Sequence, residues 1–149
     1  MRITIPVFVR QPPEVVWANF NEALFRKLSP PFPPAKLLRF DGSLPGDEVH
    51  VELNFLLFRE TWVSVITEQR STPEEIYFVD EGLKLPFFLR SWRHRHRIVR
   101  RETGSEIIEE IEYRAPFRWM DFALWPVMHA QFAYRKPVYR RVFGKGLPT

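Results

Sequence analysis

The sequence predicts an α+β domain in which a curved antiparallel sheet wraps around a long C-terminal helix and leaves an apolar pocket between the two. Three observations predict it. The chain opens on one alternating strand, residues 36–113 read as a succession of short alternating runs, and the last long apolar pattern has helical spacing. A sheet with one apolar face has to be covered, and the terminal helix is the element long enough to do so.

Ile3, Ile5, Val7 and Val9 alternate with other residues, the period of a strand. Gln11-Pro12-Pro13 ends that strand, and Pro13 suits the first turn of a following helix. Val16, Trp17, Phe20, Leu24, Phe25 and Leu28 then recur at helical spacing, so one helix or two short ones lie between Pro13 and Leu28. From Ser29 to Pro34, four prolines in six residues make a stiff, extended connector. A rigid crossover is preferred there over a docking motif for a proline-binding module.

The strands follow. Lys36 to Phe40 leads into Asp41-Gly42 and Pro45-Gly46-Asp47, which are turn signals. Val49, Val51, Leu53 and Phe55 alternate with His50, Glu52 and Asn54, and further runs span Glu60 to Glu68, Ile76 to Glu81, Trp92 to Val99 and Ile107 to Tyr113. The short gaps between most of them imply antiparallel meander pairing. Ala115-Pro116 closes the last strand, and 121–143 reads as the longest helix, with Met128, Phe132, Arg135, Tyr139 and Phe143 near one stripe. Pro126 is tolerated if it lies in the first turn. Pro137 is internal and clashes with the carbonyl of Ala133, which predicts a bend or break nearby.

At 149 residues the chain forms one domain, 1–149, with no internal repeat. Hydrophobic residues make up 45% and charged residues 27%, ordinary for a globular protein. The 14 Phe, 5 Trp and 4 Tyr are enough to wall a cavity as well as fill a core. A formal charge of +4 is too mild to imply nucleic acid without a focused patch. Six arginines between Arg90 and Arg101 face five glutamates between Glu102 and Glu112, which neutralise them. A second basic group, Arg135, Lys136, Arg140, Arg141 and Lys145, lies near the end. The absence of cysteine excludes disulfides and thiolate chemistry and suits a cytoplasmic setting. Pro6 interrupts the apolar N-terminus, unlike a secretory signal. No apolar stretch approaches the ~20 residues of a membrane span. No pattern in the chain specifies an oligomeric state.

The functional signal lies on two strands. Alternation places Trp92, His94, His96 and Ile98 on one face and Arg93, Arg95 and Arg97 on the other. On the next strand, Ile107, Glu109, Ile111 and Tyr113 share a face opposite Ile108, Glu110 and Glu112. Pairing the arginine row with Glu110 and Glu112 outside leaves His94, His96, Glu109 and Tyr113 pointing inward. Such groups in an apolar pocket can orient a ligand or transfer a proton. The structural alternative is that Glu109 pairs with a histidine or with Arg135 and supports the sheet-to-helix contact. Arg135 either enters the cavity mouth to hold an anionic group or forms a surface ion pair. His94, His96 and Glu109 are donor types that suit zinc, but His-x-His also arises by alternation alone, so no metal and no cofactor are assigned. His50 and His129 are read as surface or packing residues.

The order of elements resembles the START-like superfamily, also called SRPBCC or helix-grip domains, which includes polyketide cyclases and lipid-transfer domains. Four segments carry the likeness to its small bacterial ligand-binding members. They are Phe78-Val79-Asp80-Glu81 with Pro86-Phe87, Trp92-Arg93-His94-Arg95-His96, Glu109-Glu110-Ile111-Glu112-Tyr113 with Pro116, and Phe132-Ala133-Tyr134-Arg135 leading to Phe143. Glu109 stands where the family usually has Asp. The resemblance implies a binder of a small hydrophobic or amphipathic molecule. Phe55, Trp62, Phe78, Trp92, Met128 and Phe132 would form the walls, and His94, His96, Glu109, Tyr113 and Arg135 the polar contacts. The alternative is a polyketide cyclase or dehydratase-like enzyme, with His94, His96 and Glu109 as candidate acid–base residues. A third is an interaction module using the proline connector or the basic helix end.

Overall fold

The computed structural model describes residues 1–144. Its elements are β1 (Arg2–Val9), α1 (Pro13–Ala18), α2 (Glu22–Leu28), β2 (Ala35–Phe40), β3 (Glu48–Asn54), β4 (Arg59–Ser71), β5 (Glu75–Lys84), β6 (Ser91–Arg101), β7 (Gly104–Arg114), α3 (Arg118–Ala133) and α4 (Arg135–Phe143). The seven strands form one curved antiparallel sheet in the order β1-β7-β6-β5-β4-β3-β2. Consecutive strands pair as a meander, and β1 closes the far edge against β7. Pro6 is accommodated because β1 is an edge strand.

Local chemistry accounts for the helix boundaries. Pro13 opens α1, and the chain breaks at Asn19 before Asn21 caps α2 by accepting a hydrogen bond from the Leu24 amide at 3.0 Å. The stretch therefore folds as two short helices. The proline connector crosses from α2 to β2 and is tied to α3 by Gln131, whose Nε2 donates to the Phe32 carbonyl at 2.9 Å.

The C-terminal helix is two helices. It begins at Arg118, earlier than the sequence pattern indicates, and breaks at Tyr134. Pro137 then falls in the first turn of α4, where a missing amide is not needed, and the clashing carbonyl of Ala133 lies at the break. Pro126 sits inside α3 rather than in a first turn, so it deprives the Phe122 carbonyl of its helical donor.

Two apolar clusters hold these layers together. One packs α1, α2 and α4 onto the sheet through Val9, Val16, Leu28, Ile98, Ile107 and Phe143. The other packs α3 onto it through Ile3, Ile5, Trp92, Ile111, Tyr113 and Met128. Each fully buried aliphatic or aromatic side chain contributes about 1.5–3 kcal/mol. Along β6 and β7 the clusters are separated by His94, His96 and Glu109, so the inward polar set lies at the seam between them.

The outer face carries the arginine row. Arg97 bonds Glu110 at 2.8 Å and also Glu75, Arg93 approaches Glu81 at 3.4 Å, and Arg95 lies 4.3 Å from the centre of the Tyr77 ring. Glu112 stands opposite Arg93 in the β6–β7 register, as expected, and its carboxylate is approached by Arg2 on the neighbouring edge strand. The second basic group is divided: Arg135 turns inward, Arg140 and Arg141 are exposed, and Lys145 lies outside the described residues. Among the described residues, no helix is long and apolar enough to cross a membrane.

Candidate functional site

Strand register assembles the site. On β6, alternation aims Trp92, His94 and His96 inward, and their neighbours are fixed by pairing: His96 opposes Glu109 on β7 and Phe78 on β5, while His94 opposes Ile111 and Asp80. Two imidazoles are thereby bracketed by two carboxylates, Asp80 from one side and Glu109 from the other. The imidazole centres are 3.6 Å apart.

Glu109 is 1% exposed and fully engaged. Its Oε1 accepts from the Tyr139 hydroxyl at 2.6 Å and from Arg135 Nη1 at 3.0 Å, and its Oε2 is bonded by His94 Nε2. Asp80 is held in a similar way: Trp92 Nε1 donates to Oδ1 at 3.0 Å, and His96 Nε2 donates to Oδ2 at 2.7 Å. Apolar rings enclose the imidazoles, with Phe78 stacked on His96 at 4.2 Å and Phe132 edge-on to His94 at 5.2 Å.

Charge follows from this geometry. Burial opposes ionisation of Glu109, but Arg135 and the two histidines outweigh it and hold its carboxyl well below the usual range. Burial likewise opposes the Asp80 charge, and the His96 hydrogen bond and both imidazoles reverse it. Burial and the neighbouring His96 depress His94, whereas for His96 the burial effect is overcome by Glu109 and Asp80, which raise it. The Tyr139 phenol is pushed well above its ordinary value by burial and by the Glu109 charge.

In front of this cluster lies a cavity of about 480 Å³ between the sheet, α2, the proline connector and α3. Of the side chains that the sequence nominated, Phe55, Trp62, Phe78, Trp92, Met128 and Phe132 line its walls, and His94, His96 and Arg135 reach its surface. Two do not line it. Glu109 lies behind the histidines, and Tyr113 turns away to donate its hydroxyl to the Asp121 carbonyl at 2.7 Å. Neither lines the cavity wall as expected: one braces the site, the other anchors the start of α3.

Sequence reasoning missed Asp80 and Tyr139 as members of the cluster. Asp80 had a signal, since it shares the β5 face of Ile76 and Phe78, but Glu81 beside it left the choice of inward carboxylate to the register. Tyr139 lies one helical turn after Arg135, which is why both reach Glu109. The contributions of Phe20, Leu24, Pro30 and Pro33 to the wall were also unseen. His129 stacks on Trp125, and His50 is bonded to Glu48 at 3.2 Å, both apart from the cluster.

No family model and no curated protein matches the chain. Solved structures do. The Zhui aromatase/cyclase from Streptomyces sp. R1128 aligns with TM-score 0.59 and 16% identity, covering 95% of each chain. The helix-grip fold is that of this chain. Protein Ms6760 from Mycobacterium smegmatis shares it with TM-score 0.63 and 15% identity over 95% of this chain and 90% of that one. A nucleoside-diphosphate sugar epimerase from Corynebacterium glutamicum aligns with TM-score 0.64 and 22% identity over 93% of this chain and 30% of its own length, so the helix-grip unit there is part of a longer protein. At these identities the likeness concerns the fold. The element order that carried the resemblance to START-like proteins is the order observed.

Proposed function

We propose that this chain binds a small hydrophobic or amphipathic molecule in the cavity between sheet and α3. The observation that carries the reading is an aromatic and aliphatic cavity of about 480 Å³ with one polar wall, made by Asp80, His94, His96 and Arg135. That volume lies within the range of about 300–1,000 Å³ common for small-molecule sites. The apolar part of a ligand would pack on Trp62, Phe88, Leu124 and Met128, and its polar end would meet His96 and Arg135. Native mass spectrometry before and after organic extraction tests this. A retained small molecule that extraction removes supports the reading, and its loss in Leu53→Trp, which projects a bulky ring into the cavity, assigns the place. A chain that carries nothing and takes up no apolar probe overturns it.

One observation favours a second reading, an acid–base enzyme of the cyclase or dehydratase kind: the His94/His96 pair is bracketed by carboxylates and opens on the cavity. His96, hydrogen-bonded to Asp80 at the cavity surface, would deliver a proton to a bound substrate, while His94, backed by Glu109, would accept one. His96→Gln would then abolish turnover and leave binding nearly intact. Equal turnover by the variant would dismiss this reading without touching the first.

A further inference from the structure

The polar wall has a property that neither ligand retention nor proton transfer requires. Asp80, His94 and His96 present one donor atom each, all within 4.8 Å of one another, at the surface of the cavity. The contacts among them select the atoms. Asp80 Oδ2 lies 2.7 Å from His96 Nε2 and 3.6 Å from His94 Nδ1. Around a tetrahedral zinc with bonds of about 2.0–2.2 Å, neighbouring donors stand about 3.4 Å apart. Admitting an ion therefore requires the Asp80–His96 pair to part by less than an ångström.

The outer partners that such a site needs are in place. A metal-bound histidine commonly gives its other ring nitrogen to a carboxylate, which fixes tautomer and orientation. His94 does so through Nε2 to Glu109, leaving Nδ1 on the Asp80 side. Asp80 keeps its second oxygen on the Trp92 indole, leaving Oδ2 to ligate. His96 is oriented in the same way: its Nδ1 is buried and faces Glu109 Oε2 at 3.2 Å. An imidazole that gives Nε2 to a metal carries its hydrogen on Nδ1, which is where that carboxylate waits. Glu109 itself is immobilised by Arg135 and Tyr139.

We propose that Asp80, His94 and His96 form a divalent transition-metal site on the polar wall of the cavity, with Glu109 and Trp92 as outer partners and at least one coordination position open to the cavity. Two nitrogens and one oxygen, without thiolate, suit zinc, cobalt or ferrous iron over calcium or magnesium. With both imidazoles neutral, as ligation requires, two carboxylates against the single Arg135 guanidinium leave one net negative charge, which a divalent ion reverses. The open position would accordingly take hydroxide or an anionic oxygen of a bound molecule. Glu109, the third donor that the sequence offers beside the two histidines, lies behind the rings, and Asp80 takes its place.

The test uses zinc or cobalt alone, so its outcome is independent of whether the cavity carries an organic molecule. Calorimetric titration of the chelator-stripped chain with Zn²⁺ should give one equivalent per chain. Asp80→Asn should weaken it by at least tenfold, Trp92→Phe by about 10–100-fold through the outer shell, and His50→Ala and His129→Ala should leave it unchanged. Should the cluster variants misfold, the unmutated chain still decides. Long-range proton–nitrogen spectra should show metal on Nδ1 of His94 and Nε2 of His96, and Co²⁺ should give the visible bands of a low-coordinate site. Absence of saturable binding, equal affinity in Asp80→Asn, or coordination by His50 or His129 overturns the proposal.

Discussion

Replacing Glu109 by Gln keeps the shape of the side chain and removes its charge, leaving the Arg135 guanidinium beside a neutral amide. Both groups are shielded from water: the Glu109 side chain is 1% exposed and that of Arg135 13%. Removing one partner of a buried ion pair costs about 3–5 kcal/mol, because the remaining charge has lost both its hydration and its counter-ion. The amide oxygen can still accept from Tyr139, so the hydrogen bond is partly retained and the loss is mainly that of the charge. For a chain of this size, such a loss lowers the melting temperature by roughly 6–20 °C. Urea unfolding followed by circular dichroism measures it, and Arg135→Met in the same background provides the internal control. With both charges gone no ion is stranded, so the double variant should be at least about 1 kcal/mol more stable than Glu109→Gln alone. A single-variant loss below about 1 kcal/mol, or a double variant as unstable as the sum of the singles, would refute the claim that this pair couples sheet and terminal helix.

Two further outcomes follow from the same geometry. Tyr139→Phe deletes a buried hydroxyl that donates to an ionised carboxylate at 2.6 Å, and should cost about 1.5–3 kcal/mol in the same unfolding assay without altering the far-ultraviolet spectrum. The Tyr113 phenol is pushed up to about 12, first by burial and then by the Asp121 charge. Its neutral form is favoured in the folded state, so that stabilisation is complete below the unfolded value of about 10 and is lost as pH rises toward the folded one. An ultraviolet titration in which Tyr113→Phe removes one late-ionising tyrosine and leaves a second, Tyr139, agrees; an unchanged titration in that variant does not.

Much of the fold was legible because its signals are local. Alternation in β1, β6 and β7 states which side chains face inward, and turn residues separate the strands of the meander. The terminal break was legible too, since Pro137 cannot occupy a helix interior; what the sequence left open was that the chain would break at Tyr134 and restart, turning the proline from an internal defect into a first-turn residue. The polar cluster was half legible. His94, His96 and Glu109 follow from alternation on neighbouring strands, whereas Asp80 depends on the β5–β6 register and Tyr139 on how α4 is laid across the sheet. Tyr113 is instructive: it faces inward as expected, but a carbonyl at the start of α3 captures its hydroxyl and it does not line the cavity. Side-chain direction is a property of the strand, while the destination of the polar tip belongs to the tertiary structure.

The most direct test of the ligand-binding account is a high-resolution crystal structure of the chain purified without extraction. The account predicts electron density between the sheet and α3, with its apolar part against Trp62 and Met128 and its polar end on His96 or Arg135. A cavity closed by its own side chains, with α3 collapsed onto the sheet and no density within, would contradict it.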